Sequence, residues 1–229
     1  MKTITAKHIS TADVLVQPKA ADVPAMLDAQ GVEFNAVDSV NWPAAFPFAP
    51  EMRFRIAHTG AAILIEYRVK EDSVRALAAD NGNVWEDSCC EFFVIPASDG
   101  IYYNIECNCG GNMLIGSGAA KTDRVRAKAD VLDTVDRWTS LEKSLFTTPG
   151  KGQFDETDAP KEWSMALVIP VQAFFRHHLN SMSGVHARAN FYKCGDALRK
   201  PHYLSWNPIS LPKPNFHCPD FFGEVYFEE

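Results

Sequence analysis

Short runs in which apolar and polar residues alternate dominate this chain, and they predict β-strands. Cys-Cys-Glu-Phe-Phe-Val-Ile from Cys89, then Ser98-Asp99-Gly100, then Tyr-Tyr-Asn-Ile-Glu-Cys-Asn to Asn108 reads as two strands and a turn. Asp-Gly between β-rich runs is a hairpin signal. In the second run Tyr103, Ile105 and Cys107 share one face, and Tyr102, Asn104, Glu106 and Asn108 share the other. Strict period-2 alternation means that one face packs while the other presents amides and carboxylates beside an aromatic ring. Glu91 interrupts an otherwise apolar first run.

The same pattern recurs along the chain. Residues 52–58 and 62–69 form a second hairpin about Thr59-Gly60, with Arg53 and Arg55 alternating against Phe54 and Ile56. Further strands are predicted at 32–37, 124–132, 136–141, 163–169, 185–194, 202–206 and 223–229. Residues 23–30 are helix-prone, and one or two helical turns are expected within 70–83 and after Pro170 over 171–177. The Gly-, Pro-, Asp- and Thr-rich stretch 147–161 is a surface loop, and residues 1–31, including Val14-Leu15-Val16, are poorly patterned. Many short strands with frequent Gly and Pro breaks predict an all-β fold. The expected architecture is a jelly-roll-like antiparallel β-sandwich with a few short helices, and 229 residues suit a single domain over 1–229.

A net charge of -7 argues against nucleic acid or an anionic membrane as partner, since both need a cationic footprint. No apolar run approaches the length of a membrane span. The start, Met1-Lys2-Thr3-Ile4-Thr5-Ala6-Lys7-His8, lacks the apolar core of a secretory signal, so the expected location is the cytoplasm, or outside the cell if a leader has been removed. Six cysteines show neither a disulfide framework nor the Cys-x-x-Cys pairs of a structural zinc site. Adjacent Cys89 and Cys90 point to opposite strand faces, Cys107 and Cys109 share one, and Cys194 and Cys218 stand alone; all six read as buried free thiols.

Gly-x-Ser-x-Gly, His-Glu-x-x-His and phosphate-cradling glycine motifs do not occur, which removes the commonest hydrolase and nucleotide signatures. Adjacent His177 and His178 cannot face one another on a helix and read as surface residues. Glu86, Asp87, Glu91 and Glu106 supply carboxylates for acid–base chemistry. The aromatic residues are more telling. Trp85 precedes a strand and Trp206 ends one, positions at the rim of a sandwich where loops gather. A sugar ring stacks its C–H face on indole while its hydroxyls seek amide, carboxylate and guanidinium partners. Arg188, Asn190 and Asn207 are nearby candidates, whereas Trp42, Trp138 and Trp163 read as core.

Five groups of residues, in order, resemble the family 9 carbohydrate-binding modules first known as appendages of xylanases. They are Val84-Trp-Glu-Asp-Ser-Cys-Cys-Glu-Phe-Phe93; Tyr103-Asn-Ile-Glu-Cys-Asn108 with Gly110 or Gly111; Trp163-Ser-Met-Ala-Leu-Val-Ile-Pro170; Arg188-Ala-Asn-Phe-Tyr192; and Ser205-Trp-Asn-Pro208 with Asn215-Phe-His-Cys-Pro219 and Phe222-Gly-Glu-Val-Tyr-Phe227. The resemblance covers the chain from about Val32 onward. It implies a jelly-roll-like sandwich, no catalysis, and a terminal sugar held between two tryptophans. It puts Trp85 and Trp206 where the motifs carry aromatic residues and Glu91 where a strand carboxylate belongs. The family's calcium sites have no ligand cluster that can be picked out here.

The expectation is therefore a non-catalytic saccharide-binding protein. Trp85 and Trp206 border one concave pocket, and Glu91, Asn104, Glu106, Arg188 and Asn190 read the hydroxyls. Rival readings are a glycoside-active enzyme using Glu91 and Glu106, a haem-binding sandwich with Met113 or a histidine as axial ligand, and a protein-interaction role.

Overall fold

The computed structural model describes residues 1–10, 17–146, 156–158 and 162–229. The principal strands are β1 (Thr3–His8), β2 (Glu51–His58), β3 (Ala62–Lys70), β4 (Cys89–Ile95), β5 (Tyr102–Asn108), β6 (Met113–Gly118), β7 (Asp136–Thr139), β8 (Trp163–Pro170), β9 (His186–Cys194), β10 (Tyr203–Ser205) and β11 (Gly223–Phe227). They form two layers. One runs β6-β5-β4-β9-β11-β1 and the other β1-β2-β3-β8-β7, so β1 belongs to both. Its first four residues, Thr3 to Ala6, pair with β11 and its last two, Lys7 and His8, with Ala57 and His58 of β2, both in parallel. The other pairings among these strands are antiparallel.

Period-2 alternation builds the core between the layers. Phe54, Ile56, Ile65, Tyr67, Met165 and Leu167 point inward from one sheet, meeting Cys90, Phe92, Tyr103, Ile105 and Phe191 of the other. Phe191 stacks on Phe54 at 3.5 Å and on Phe92 at 4.8 Å between centroids. The outer face of the second layer is covered by helix α1 (Val23–Ala29), whose Val23 and Leu27 pack on Ala57, Leu64 and Val168. On that face Arg55 bonds Glu66, its cross-strand neighbour, at 2.6 Å.

Several predicted elements shrink for identifiable reasons. The strand expected at 32–37 survives only as Asn35–Ala36, because Phe34 lies instead under the guanidinium groups of Arg53, Arg55 and Arg68. The expected helical turns over 70–83 do not form within that stretch. The buried Asp87 carboxylate takes the amides of Leu77 and Ala78 at 3.0 and 2.9 Å, and Ser73–Val74 pairs with Thr157–Asp158. The strand expected at 124–132 reduces to Val125–Arg126 and then turns into a short helix, Ala129–Leu132. Residues 171–177 hold one 3₁₀ turn, Val171–Ala173. The loop assigned to 147–161 and the Val14-Leu15-Val16 run lie largely or wholly outside the described residues.

Candidate functional site

The outer face of β4, β5 and β6 carries the polar residues that alternation placed there. Glu91 and Glu106 are directly opposed across the β4–β5 pair, and Asn104 faces Phe93 on one side and Gly116 on the other. A cavity of about 500 Å³ opens over this face. Its floor is the strand surface with Glu91, Asn104 and Glu106, and Trp85, Tyr203 and Phe216 add aromatic wall. Trp85 is brought there by a 3₁₀ turn, Val84–Glu86, whose chain is tied down when Asp196 N and Ala197 N donate to the carbonyls of Trp85 and Glu86 at 3.1 Å. Phe216 is fixed by stacking on Tyr192 at 4.1 Å.

One arginine organises the polar side of the cavity. Arg124 lies over the Tyr102 ring at 3.9 Å, donates to the carbonyls of Gly118 and Tyr102 at 2.9 and 3.1 Å, and bonds the Asn104 side-chain oxygen. Asn104 passes the chain on, donating to Glu106 Oε1 at 2.8 Å. Three atoms of this cluster are buried and have no hydrogen-bond partner among the described residues: Glu91 Oε2, Glu106 Oε2 and Arg124 Nε. Unpaired acceptors and donors converging on one pocket are a ligand's hydrogen bonds in waiting.

Burial drives the titratable groups Glu91, Glu106 and His217 of this cavity toward their neutral forms. Burial, reinforced by the opposed Glu106, holds the Glu91 carboxyl well above the usual carboxylate range. Burial also raises Glu106 to about 7, against the pull of the Asn104 bond and the Arg124 charge. Burial, with the nearby Arg124 and Lys121 charges, pushes His217 down to about 3, which leaves a neutral ring whose Nδ1 meets the Tyr102 hydroxyl at 2.9 Å. Aromatic planes and buried groups held toward their neutral forms, beside the cationic Lys121, Arg124 and Arg126 of the same lining, suit an uncharged, hydroxyl-rich ligand.

The model of carbohydrate-binding family 9 matches residues 21–227. The chain belongs to that family. Among solved structures, a Bacteroides uniformis protein, for which carbohydrate binding is itself an inferred role, is 48% identical. That match covers 99% of each chain with a TM-score of 0.89. Two family 9 modules from Caldicellulosiruptor kristjanssonii share the fold. The one in complex with cellotriose is 11% identical with a TM-score of 0.59, covering 99% of this chain and 94% of that one. The one in complex with glucose is 12% identical with a TM-score of 0.55, covering 99% and 96%. Among curated protein sequences none matches this chain.

Within this family 9 domain, the residues expected at the site divide cleanly. Trp85, Glu91, Asn104 and Glu106 meet in the one cavity. Trp206 does not. It is 2% exposed and packs edge-on against Phe54 and Phe191 at 5.9 and 5.8 Å, between the sheets. Parity explains the correction: Tyr203 faces the cavity, so the side chain three residues later points to the opposite side, as Leu204 does. Arg188 is six residues from Cys194 on β9, about 20 Å away along the strand, where it donates to the Pro219 carbonyl at 2.9 Å. Asn190 is wholly used in structure, accepting from the amides of Phe191 and Asn207 and donating to the Asn207 carbonyl. Asn207 likewise holds the Lys2 amide at 2.7 Å. Met113, the methionine offered as a haem ligand, is buried between the sheets.

Arg124, Tyr203, Phe216 and His217 were not anticipated. Arg124 belongs to a stretch read as an ordinary strand, and Phe216 and His217 to a loop remote in sequence; only tertiary structure brings them to β5. All six cysteines are free and buried, as expected. His177 is tied by Tyr103 and Asp99 at 2.7 and 3.1 Å.

Proposed function

We propose that this domain binds a mono- or oligosaccharide without catalysing its cleavage, with Trp85 as the stacking platform and Asn104, Glu106 and Arg124 as the hydroxyl readers. The observation that carries this is the half-satisfied relay. Arg124 and Asn104 fix Glu106 through one oxygen and leave its other oxygen, and the Arg124 Nε, buried without a partner among the described residues, on side chains that line an aromatic-walled pocket. Sugar hydroxyls can both donate to the carboxylate and accept from the guanidinium. Glucose and cellotriose, the sugars held by the two Caldicellulosiruptor modules, are the natural first probes. Binding without cleavage is supported by the placement of the carboxyls. Glu91 and Glu106 are cross-strand neighbours on the cavity floor, whereas glycoside hydrolysis uses a pair flanking the bond.

Calorimetric titration with both sugars tests the reading. The expected result is saturable binding that weakens about tenfold in Trp85→Ala, which is about 1.4 kcal/mol and within the range of one aromatic stack plus lost burial. Absence of heat with either sugar, equal affinity in Trp85→Ala, or release of glucose from cellotriose would each overturn it.

A further inference from the structure

The inner end of the cavity holds a second constellation. Cys89 opens β4 and Cys194 closes β9, and the two are directly opposed in the antiparallel register. Glu91 lies two residues after Cys89 and so shares its outer face. Cys89, Glu91 and Cys194 are 0%, 2% and 1% exposed, and one ligand-capable atom from each lies within 4.8 Å of the others. The Cys194 thiol donates to Glu91 Oε1 at 3.0 Å, and Glu91 Oε2 is buried without a partner among the described residues. Glu91 and Cys194 are part of the cavity lining, so the trio communicates with solvent through the pocket.

Donor chemistry selects the ion. Calcium and magnesium take oxygen ligands, whereas two thiolates with one carboxylate oxygen suit a borderline-soft cation that accepts sulfur readily. In a tetrahedral zinc site with bonds of about 2.3 Å to sulfur, ligand atoms sit about 3.8 Å apart, inside the 4.8 Å span observed here. Small side-chain rotations would close the trio. Three protein ligands and a fourth position turned to a pocket is the arrangement of zinc sites that keep an exchangeable ligand.

We propose that Cys89, Glu91 and Cys194 form a Zn²⁺ site at the inner end of the pocket, with the fourth position left for water. Metal entry replaces the Cys194–Glu91 hydrogen bond with two Zn–S bonds and one Zn–O bond, and the two thiol protons, together with the proton of the Glu91 carboxyl, pass to solvent. The pairing of Cys89 with Cys194 was invisible to motif spacing, because the ligands are 105 residues apart and are joined only by strand register. The site does not depend on sugar binding, and its test reads metal alone.

The experiment is titration of untagged, reduced protein with Co²⁺ and then Zn²⁺, against a competing chelator of known affinity. The expected outcome is one equivalent of Co²⁺ bound, with a thiolate-to-metal charge-transfer band and the visible bands of a four-coordinate ion, both abolished by Zn²⁺. Cys194→Ser and Glu91→Gln should weaken binding at least about tenfold, the scale on which even supporting residues tune such sites. Cys218→Ser, at a thiol outside the trio, should leave it unchanged. Absence of the charge-transfer band in the wild-type protein, or equal affinity in Cys194→Ser and wild type, would overturn the proposal. The wild-type spectrum decides the matter even if a variant fails to fold.

Discussion

Two tryptophans that look alike in sequence have opposite fates, and the contrast separates binding from folding one residue at a time. Trp85 is half-buried on a turn at the cavity rim, and Trp206 is locked between Phe54 and Phe191 in the sandwich interior. Removing a buried aromatic costs about 3–5 kcal/mol through lost transfer energy and the cavity left behind. Trp206→Ala is therefore expected to lower unfolding stability by about that amount in denaturant titration, while the folded fraction keeps the sugar affinity of the wild type. Trp85→Ala should do the reverse, losing affinity with little change in stability. Equal stability loss in the two variants would contradict this division of roles.

At the level of elements, β6 contributes to the site by what it lacks. A side chain at Gly116 would put its Cβ 2.5 Å from Asn104 Oδ1, so the glycine makes room for the amide that links Arg124 to Glu106. Gly116→Ala is expected to tilt Asn104 away and weaken sugar binding about tenfold or more, with circular dichroism unchanged; an unaltered titration would show that the relay is not needed. A second device sits where β1 joins β2. His58 is fully buried, stacked on His8 at 5.0 Å, and its Nδ1 accepts from the Gly60 amide at 3.1 Å. Burial, with help from His8 and against the opposing pull of Glu228, lowers its pKa to about 4, and protonation would forfeit the Gly60 bond. Because the unfolded ring titrates near 6.5, this histidine's contribution is present above that pH and is lost as pH falls toward 4. Stability should therefore drop more steeply between pH 6.5 and 4 in the wild type than in His58→Gln, measured by urea unfolding at each pH. Alternation made β2 to β5, β8 and β9 legible in the sequence, and with them the placement of Glu91, Asn104 and Glu106 on one outer face. It did not reveal β1, whose six residues include one buried side chain, nor β6, where Gly116 and Gly118 interrupt the pattern. Arg124 and Phe216 escaped because their neighbours are set by sheet order and loop return.

For the whole molecule, occupancy of the pocket is linked to global unfolding. The cavity wall draws on β4, β5 and β6, on β10, and on the segments that carry Trp85, Arg124 and Phe216, so it exists only in the folded state. A ligand restricted to that state raises stability by RT ln(1 + [L]/Kd), about 2.7 kcal/mol when the sugar is at a hundred times its Kd. For a domain of this length, 1 kcal/mol moves the midpoint by about 2–4 °C, so saturating glucose or cellotriose is expected to raise Tm by about 5–10 °C in scanning calorimetry. High sugar concentrations also stabilise proteins by exclusion from their surfaces, and that effect does not require a site. The two contributions separate in Trp85→Ala, where exclusion persists while site binding is weakened. At equal sugar concentration a tenfold loss of affinity removes about 1.4 kcal/mol of the linked stabilisation, and the Tm rise should shrink by about 3–6 °C. An identical rise in both proteins would mean that the sugar acts on the surface as a whole and that the pocket around Glu106 and Arg124 is not where it binds.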